Sequence, residues 1–256
     1  MTIPSLREAL ARVHDAFGHH RVPPLGLGVC PCCVSEQVAS ELRHWALPRL
    51  GARQFYEYNT SAKPVTQSVS EIGHFLPRML ELVAAGEDVH HSTALSLVRL
   101  GHCPTASWSA DERAALDAFA LAFFDTTLRG AALLDDAAPW SDDPLVTLVM
   151  FDIGGVDVDP LLAHWRRCDH PLAAIQFVEA TYWNFWPDED WRNAFAKDRM
   201  AFRQRVKAWI LDPGCRRLFA DRLTTPEFQR IAATRDSGTG VTFPQMVDAV
   251  FDQLTR

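Results

Sequence analysis

The sequence predicts an all-α protein: a single multi-helix domain, built as an irregular helical bundle or an α-solenoid-like stack. Three observations predict it. Apolar residues recur at spacings of 3, 4 and 7 through most of the chain, which is the period of a helix with one buried face. Strand-like alternation is nearly absent. Helix-start signals recur along the whole length, as a capping residue followed either by proline or by a glutamate three residues on. With 256 residues, 48% hydrophobic and 22% charged, the chain falls in the range of globular proteins, and disorder is excluded. No low-complexity linker divides it, so residues 1–256 read as one domain.

In chain order, Val38, Leu42 and Trp45 form an apolar stripe on a helix that follows Ser35. Arg21 to Val29, with Pro23, Pro24, Gly26 and Gly28, and the polar stretch Asn59 to Ser70 read as irregular connections. Gly101 reads as the close of a helical segment from about Asp88 to Leu100. Ser109 with Glu112 is a capping-box pattern, because each side chain reaches the other residue's free backbone N–H. The helix behind it carries Leu116, Phe119, Ala120, Phe123, Phe124 and Leu128, a stripe wide enough for deep burial. Asp143-Pro144, Asp159-Pro160, His170-Pro171, Thr225-Pro226 and Phe243-Pro244 read as further helix starts, since proline forfeits no hydrogen bond at the first helical position. Gly154-Gly155 and Asp212-Pro213-Gly214 read as stops. The sum is nine or ten helices with short joints and no fixed sequence period.

A net charge of −7 argues against a main role in gripping nucleic acid or an anionic membrane, both of which need a positive field. The first 22 residues lack the apolar core of a signal peptide, and no apolar run approaches the ~18 residues of a spanning helix, so a cytoplasmic protein is expected. Charge is uneven along the chain. Acids crowd between Asp111 and Asp159, whereas Arg199, Arg203, Arg205, Lys207, Arg216, Arg217 and Arg222 follow with few acids among them. Two solvated faces, set against each other, explain this; so does a docking surface for a charged partner.

Three of the six cysteines lie in Cys30-Pro31-Cys32-Cys33, and Cys103, Cys168 and Cys215 are scattered. Cys30 and Cys33 have the spacing of half a tetrahedral zinc site, which distant residues such as His44, His74, or His102 and Cys103 would have to complete. Structural zinc, plain free thiols and a redox thiolate at Cys33, close to a helix N-terminus, stand as three readings. Adjacent Cys32 and Cys33 would form a disulfide only with strain. His19-His20 and His90-His91 read as surface histidines, and Asp152, Asp157 and Asp159 as capping and turn residues. No phosphate loop, nucleophile elbow, zinc-protease motif or dinucleotide fingerprint is present. Tyr182, Trp183, Phe185, Trp186 and Trp191 read first as core, with some left exposed as interface anchors.

Cys30 to Leu82 resembles an uncharacterised bacterial family marked by a C-x-x-C, an acidic helix, a proline-bearing turn, a tyrosine and a terminal F-L-P-R-(I/M)-L-E-L segment, here Phe75 to Leu82. Weaker echoes run through Trp108 to Phe124, Asp157 to Val178 and Trp209 to Pro213, so the likeness spans most of the chain. It departs from the pattern at Val65-Thr66-Gln67-Ser68, in place of a small polar or Gly-Asp turn, and at Cys32 inside the motif. The resemblance carries no activity; it implies that Cys30, Cys33 and the segment around Pro77-Arg78 belong together. Pro77 and Arg78 equally suit a helix start with an arginine pairing to a nearby carboxylate.

The functional expectation is a protein-binding module, an adaptor or an immunity-like protein, whose partner is another protein met through Trp183, Trp186, Arg203, Arg205 and Lys207. Structural zinc at the cysteine loop is its expected cofactor, with Cys30, Cys33, His74, His102 and Cys103 as candidate ligands. The alternative is an enzyme using a thiolate at Cys33 or a metal held by Cys30, Cys33 and His74.

Overall fold

A computed structural model describes residues 3–22, 26–62, 67–131, 133–134, 140, 143–191, 193–238 and 240–256. Of the expectations above, Pro23, Pro24, Val65 and Thr66 lie outside these residues. The described residues form twelve α-helices and several single 3₁₀ turns, with no strand among them. The all-α expectation holds.

The local start signals act as their chemistry requires. Ser5, Ser35, Ser68, Ser109, Asp143, His170, Asp212, Thr225 and Thr242 each accept a first-turn backbone N–H at the head of a helix. Two starts shift by a residue. Asp159 is the first residue of its helix rather than the cap, and Thr242 caps the helix that begins at Phe243. Asp212 ends one helix and caps the next, so the expected stop is also a start.

Two segments depart further. Residues 88–100 hold only 3₁₀ turns, including Thr93–Leu95 and Leu100–His102, and not a continuous helix. Hydroxyl side chains at Ser92, Thr93 and Ser96 favour local alternatives to a helical ladder, and the segment packs closely on the helix Pro144–Ile153. A Cβ at Gly101 would run into the Ile153 carbonyl oxygen, so this crossing needs glycine. Pro77 lies inside a helix rather than at its start, buried in Val69–Ala84, while Arg78 does find its carboxylate, donating to Glu81 at 2.8 Å and to the Leu50 carbonyl at 2.9 Å.

The core is continuous. α5 (Ala110–Leu128) runs through its middle, packed on α1 (Leu6–Phe17), α6 (Pro144–Ile153), α7 (Asp159–Arg167) and α8 (Pro171–Asn184). α1 also meets α4 (Val69–Ala84), and α8 meets α12 (Phe243–Thr255). A solenoid pairs each unit with its chain neighbours only; contacts this distant in sequence make an irregular bundle. The opposed charges also face each other, as Arg199 meets Asp152 and Arg205 meets Asp157 and Asp159.

Replacing Gly101 by alanine is expected to lower unfolding free energy by about 1–3 kcal/mol through backbone overpacking. Gly240→Ala, where an added Cβ meets nothing within 4 Å, serves as its neutral control in urea denaturation.

Candidate functional site

The cysteine loop is assembled from local turns. The Cys33 N–H donates to the Cys30 carbonyl at 3.0 Å, closing a turn with Pro31 in its second position, where the fixed proline φ is already correct. Val34 is then buried, and Ser35 caps α2 (Glu36–His44). The turn draws the Cys30, Cys32 and Cys33 sulfurs within 4.8 Å of one another, with 2.7 Å between Cys30 and Cys32 and 3.9 Å between Cys32 and Cys33. Cys32 and Cys33 are exposed and Cys30 is half-buried.

Long-range contacts hold the loop onto the bundle. Glu71, in the first turn of α4, accepts the Gly28 N–H at 2.9 Å and the Tyr58 hydroxyl at 2.7 Å. Arg99 donates to the Gly28 carbonyl at 2.8 Å, to Gln67 at 2.9 Å, to the Ser61 hydroxyl at 2.6 Å and to the Tyr58 carbonyl at 2.8 Å. Its guanidinium also lies 4.0 Å from the Tyr58 ring centre. Arg99 and Tyr58 have no exposed surface and Glu71 has 1%. Beyond this knot, the Cys30 N–H donates to the Ala62 carbonyl, and Glu57 accepts both the N–H and the hydroxyl of Ser35.

The thiols are not equivalent. Hydrogen bonds from Cys32, through its thiol and its backbone N–H, and then from Cys33 hold the Cys30 thiol below the ordinary cysteine value. Cys32, the donor to Cys30, is pushed up to about 11. Cys30 is therefore more acidic than Cys32, its hydrogen-bonding thiol. Beneath the loop, burial and then the Glu71 charge raise Tyr58 well above its usual range and push Cys103 up to about 11, so both stay protonated.

Sequence spacing singled out Cys30 and Cys33 and gave Cys32 no role as a ligand; the turn makes Cys32 the third member. The distant candidates lie elsewhere. His74 Nδ1 donates to the His20 carbonyl, 3.3 Å away, and burial lowers its pKa. His44 bonds back to the Ser40 carbonyl at 2.9 Å. His74, His102 and Cys103 belong to no group of three convergent ligand atoms among the described residues. The resemblance grouped the loop with Pro77-Arg78, yet the link to α4 runs through Glu71, two turns earlier. Arg99 carries one visible sequence signal, a charge inside the apolar run Leu95 to Leu100.

The proposed docking residues divide. Trp183 is 45% exposed and, with Tyr182, Trp186 and Pro187, lines an apolar groove of about 270 Å³ against α12. Phe185 and Trp191 are core. Arg203 is committed to Asp190 and Arg205 to Asp157 and Asp159, while Lys207 is half-buried. Of the supposed surface histidines, His90 is buried and His20 nearly so. A second convergent group, half-buried Asp125 with buried His164 and Cys168, lies where α5 meets the end of α7. Arg129 already occupies both Asp125 oxygens at 3.0 Å, and burial raises the Cys168 thiol.

Fold and site thus define an all-helical protein with a three-cysteine surface loop on a buried polar anchor. Comparison of the chain with protein-family profiles, curated proteins and solved structures gave no match. No helix among the described residues is long and apolar enough to cross a membrane.

Two outcomes are expected of this geometry. Arg99→Ala strands the Glu71 carboxylate in the interior and should cost about 3–5 kcal/mol in urea denaturation, part of it recovered by adding Glu71→Gln. Because only thiolate is alkylated and a lowered pKa keeps thiolate present at lower pH, iodoacetamide should label Cys30 on a pH curve displaced downward and Cys32 last, as followed by peptide mass mapping. Cys32 labelling ahead of Cys30 at neutral pH would contradict the assignment.

Proposed function

We propose that the chain is a cytoplasmic protein-binding module whose cysteine loop holds one thiophilic metal ion, zinc first among them. The observation that carries this reading is the convergence of three sulfurs on a single rigidly anchored turn. With metal–sulfur bonds of about 2.3 Å, tetrahedral coordination sets sulfurs ~3.8 Å apart. The Cys32–Cys33 separation of 3.9 Å already fits, and Cys30 and Cys32 need to open by about 1 Å.

Three thiolates leave one tetrahedral position. Structural zinc sites are closed by four protein ligands, and here Cys32 and Cys33 stand at the surface, so water or a donor from a partner completes the site. This suits a loop that presents its ion outward better than one that only staples the fold. The partner is another protein, met through Trp183 and Trp186; the charges of Arg203 and Arg205 are spent within the chain. A reducing compartment keeps such exposed thiols free.

One observation favours a second reading, thiolate chemistry: Cys30 is acidified beside a protonated thiol at Cys32. Cobalt separates the two. Loading untagged, chelator-stripped protein with one Co²⁺ is expected to produce thiolate-to-metal charge-transfer absorption that Cys32→Ser abolishes. Protein that shows no such band, yet alkylates Cys30 rapidly at neutral pH, would sink the metal reading and support the enzyme.

A further inference from the structure

The two histidines after α1 and the capping glutamate of α5 are 92 residues apart in sequence, yet both imidazoles point at one carboxylate oxygen. His20 Nε2 lies 2.6 Å and His19 Nε2 3.8 Å from Glu112 Oε1. The chain has left α1 here, so the quarter-turn divergence of adjacent helical residues does not apply, and the rings lie over each other with centres 4.1 Å apart.

Each group is held in place. The other oxygen of Glu112 accepts the Ser109 N–H at 2.6 Å, leaving Oε1 for the histidines. Burial pushes the Glu112 carboxyl up, but hydrogen bonds from Ser109 and His20 outweigh it and keep the group ionised. The His20 side chain is 11% exposed, set between Phe17 and the edge-on Trp108, 5.8 and 5.9 Å away, and Gly73 leaves room for its ring. His19 is the open side, with 66% of its side chain exposed.

The tautomer of His19 points to a ligand. Its Nδ1 lies 3.1 Å from the Ala16 carbonyl, which only accepts, so Nδ1 carries the proton. In the neutral ring the Nε2 lone pair then stays available to coordinate, on the side of the Glu112 carboxylate and 3.8 Å from its Oε1. A backbone carbonyl that fixes the far nitrogen of a histidine is the usual support of a metal-ligating imidazole.

We infer that His19, His20 and Glu112 form a second metal site, independent of the cysteine loop, for a divalent transition ion of the zinc or cobalt class. Two imidazoles and one carboxylate suit such borderline ions, with the remaining position open on the His19 side. Bonds of about 2.0–2.1 Å put nitrogen and oxygen ~3.3 Å apart. The His19 gap therefore closes by about half an ångström and the His20 contact opens by slightly more, as the His20 Nε2 proton is displaced.

The test uses the full chain carrying Cys30→Ser, Cys32→Ser and Cys33→Ser, which silences the loop, titrated with Co²⁺ by calorimetry and absorption. One ion per chain is expected, without thiolate charge-transfer absorption. Adding His19→Ala, at an exposed ring whose loss leaves the fold intact, is expected to weaken binding at least about tenfold. Adding His164→Gln instead should leave it unchanged. No Co²⁺ binding by the triple variant, equal binding after His19→Ala, or loss of binding with His164→Gln would each overturn the assignment.

Discussion

Arg99 is the constraint on which the arrangement of the first hundred residues around the cysteine loop depends. A guanidinium with no solvent access must spend its donors on protein, and this one spends them on Gly28, Tyr58, Ser61 and Gln67. Burial lowers its pKa, while the charge of Glu71 is among the influences that support the cationic form. Glu71 in turn holds the Gly28 N–H and the Tyr58 hydroxyl. Segments from four parts of the chain are thereby fixed to two buried charged side chains that share Gly28, Tyr58 and Gln67 as partners. Such a network is stable only when every member is satisfied, and that completeness makes it specific.

Rigid support below and exposure above is what gives the cysteine turn chemical potential. A flexible tripeptide of thiols would sample many sulfur positions and pay ordering entropy on binding an ion; a turn closed by the Cys33 N–H and anchored at Gly28, Cys30 and Ser35 has largely paid it in folding. The same closeness differentiates the thiols, because the sulfur that accepts hydrogen bonds becomes more acidic and the donor beside it resists ionisation. The two proposed chemistries, holding a metal and reacting as a thiolate, would thus draw on one geometry, and both would use Cys30.

The helical capping box shows a related economy. Ser109 and Glu112 are local partners at the head of α5, yet the carboxylate has a second oxygen, and tertiary packing brings His20 and His19 to it. Charge elsewhere is used more plainly. Arg199 and Arg205 of the basic C-terminal segment pair with Asp152, Asp157 and Asp159 of the acidic middle, and these pairs are partly exposed, so they contribute little stability.

What the sequence by itself determined was local. The helical class, the capping residues, the deep burial of α5 and the turn at Cys30-Pro31 depend on interactions within a few residues, and periodicity or residue chemistry displays them. The loss of a helix across residues 88–100, the interior position of Pro77, the burial of Arg99, the recruitment of Cys32 as a third sulfur and the meeting of His19 and His20 with Glu112 were decided by tertiary structure. Most join residues tens of positions apart, and the rest rest on the packing and detailed turn geometry that such contacts impose. Spacing in sequence carries no record of either, because what fixes them is which surfaces the assembled core removes from water.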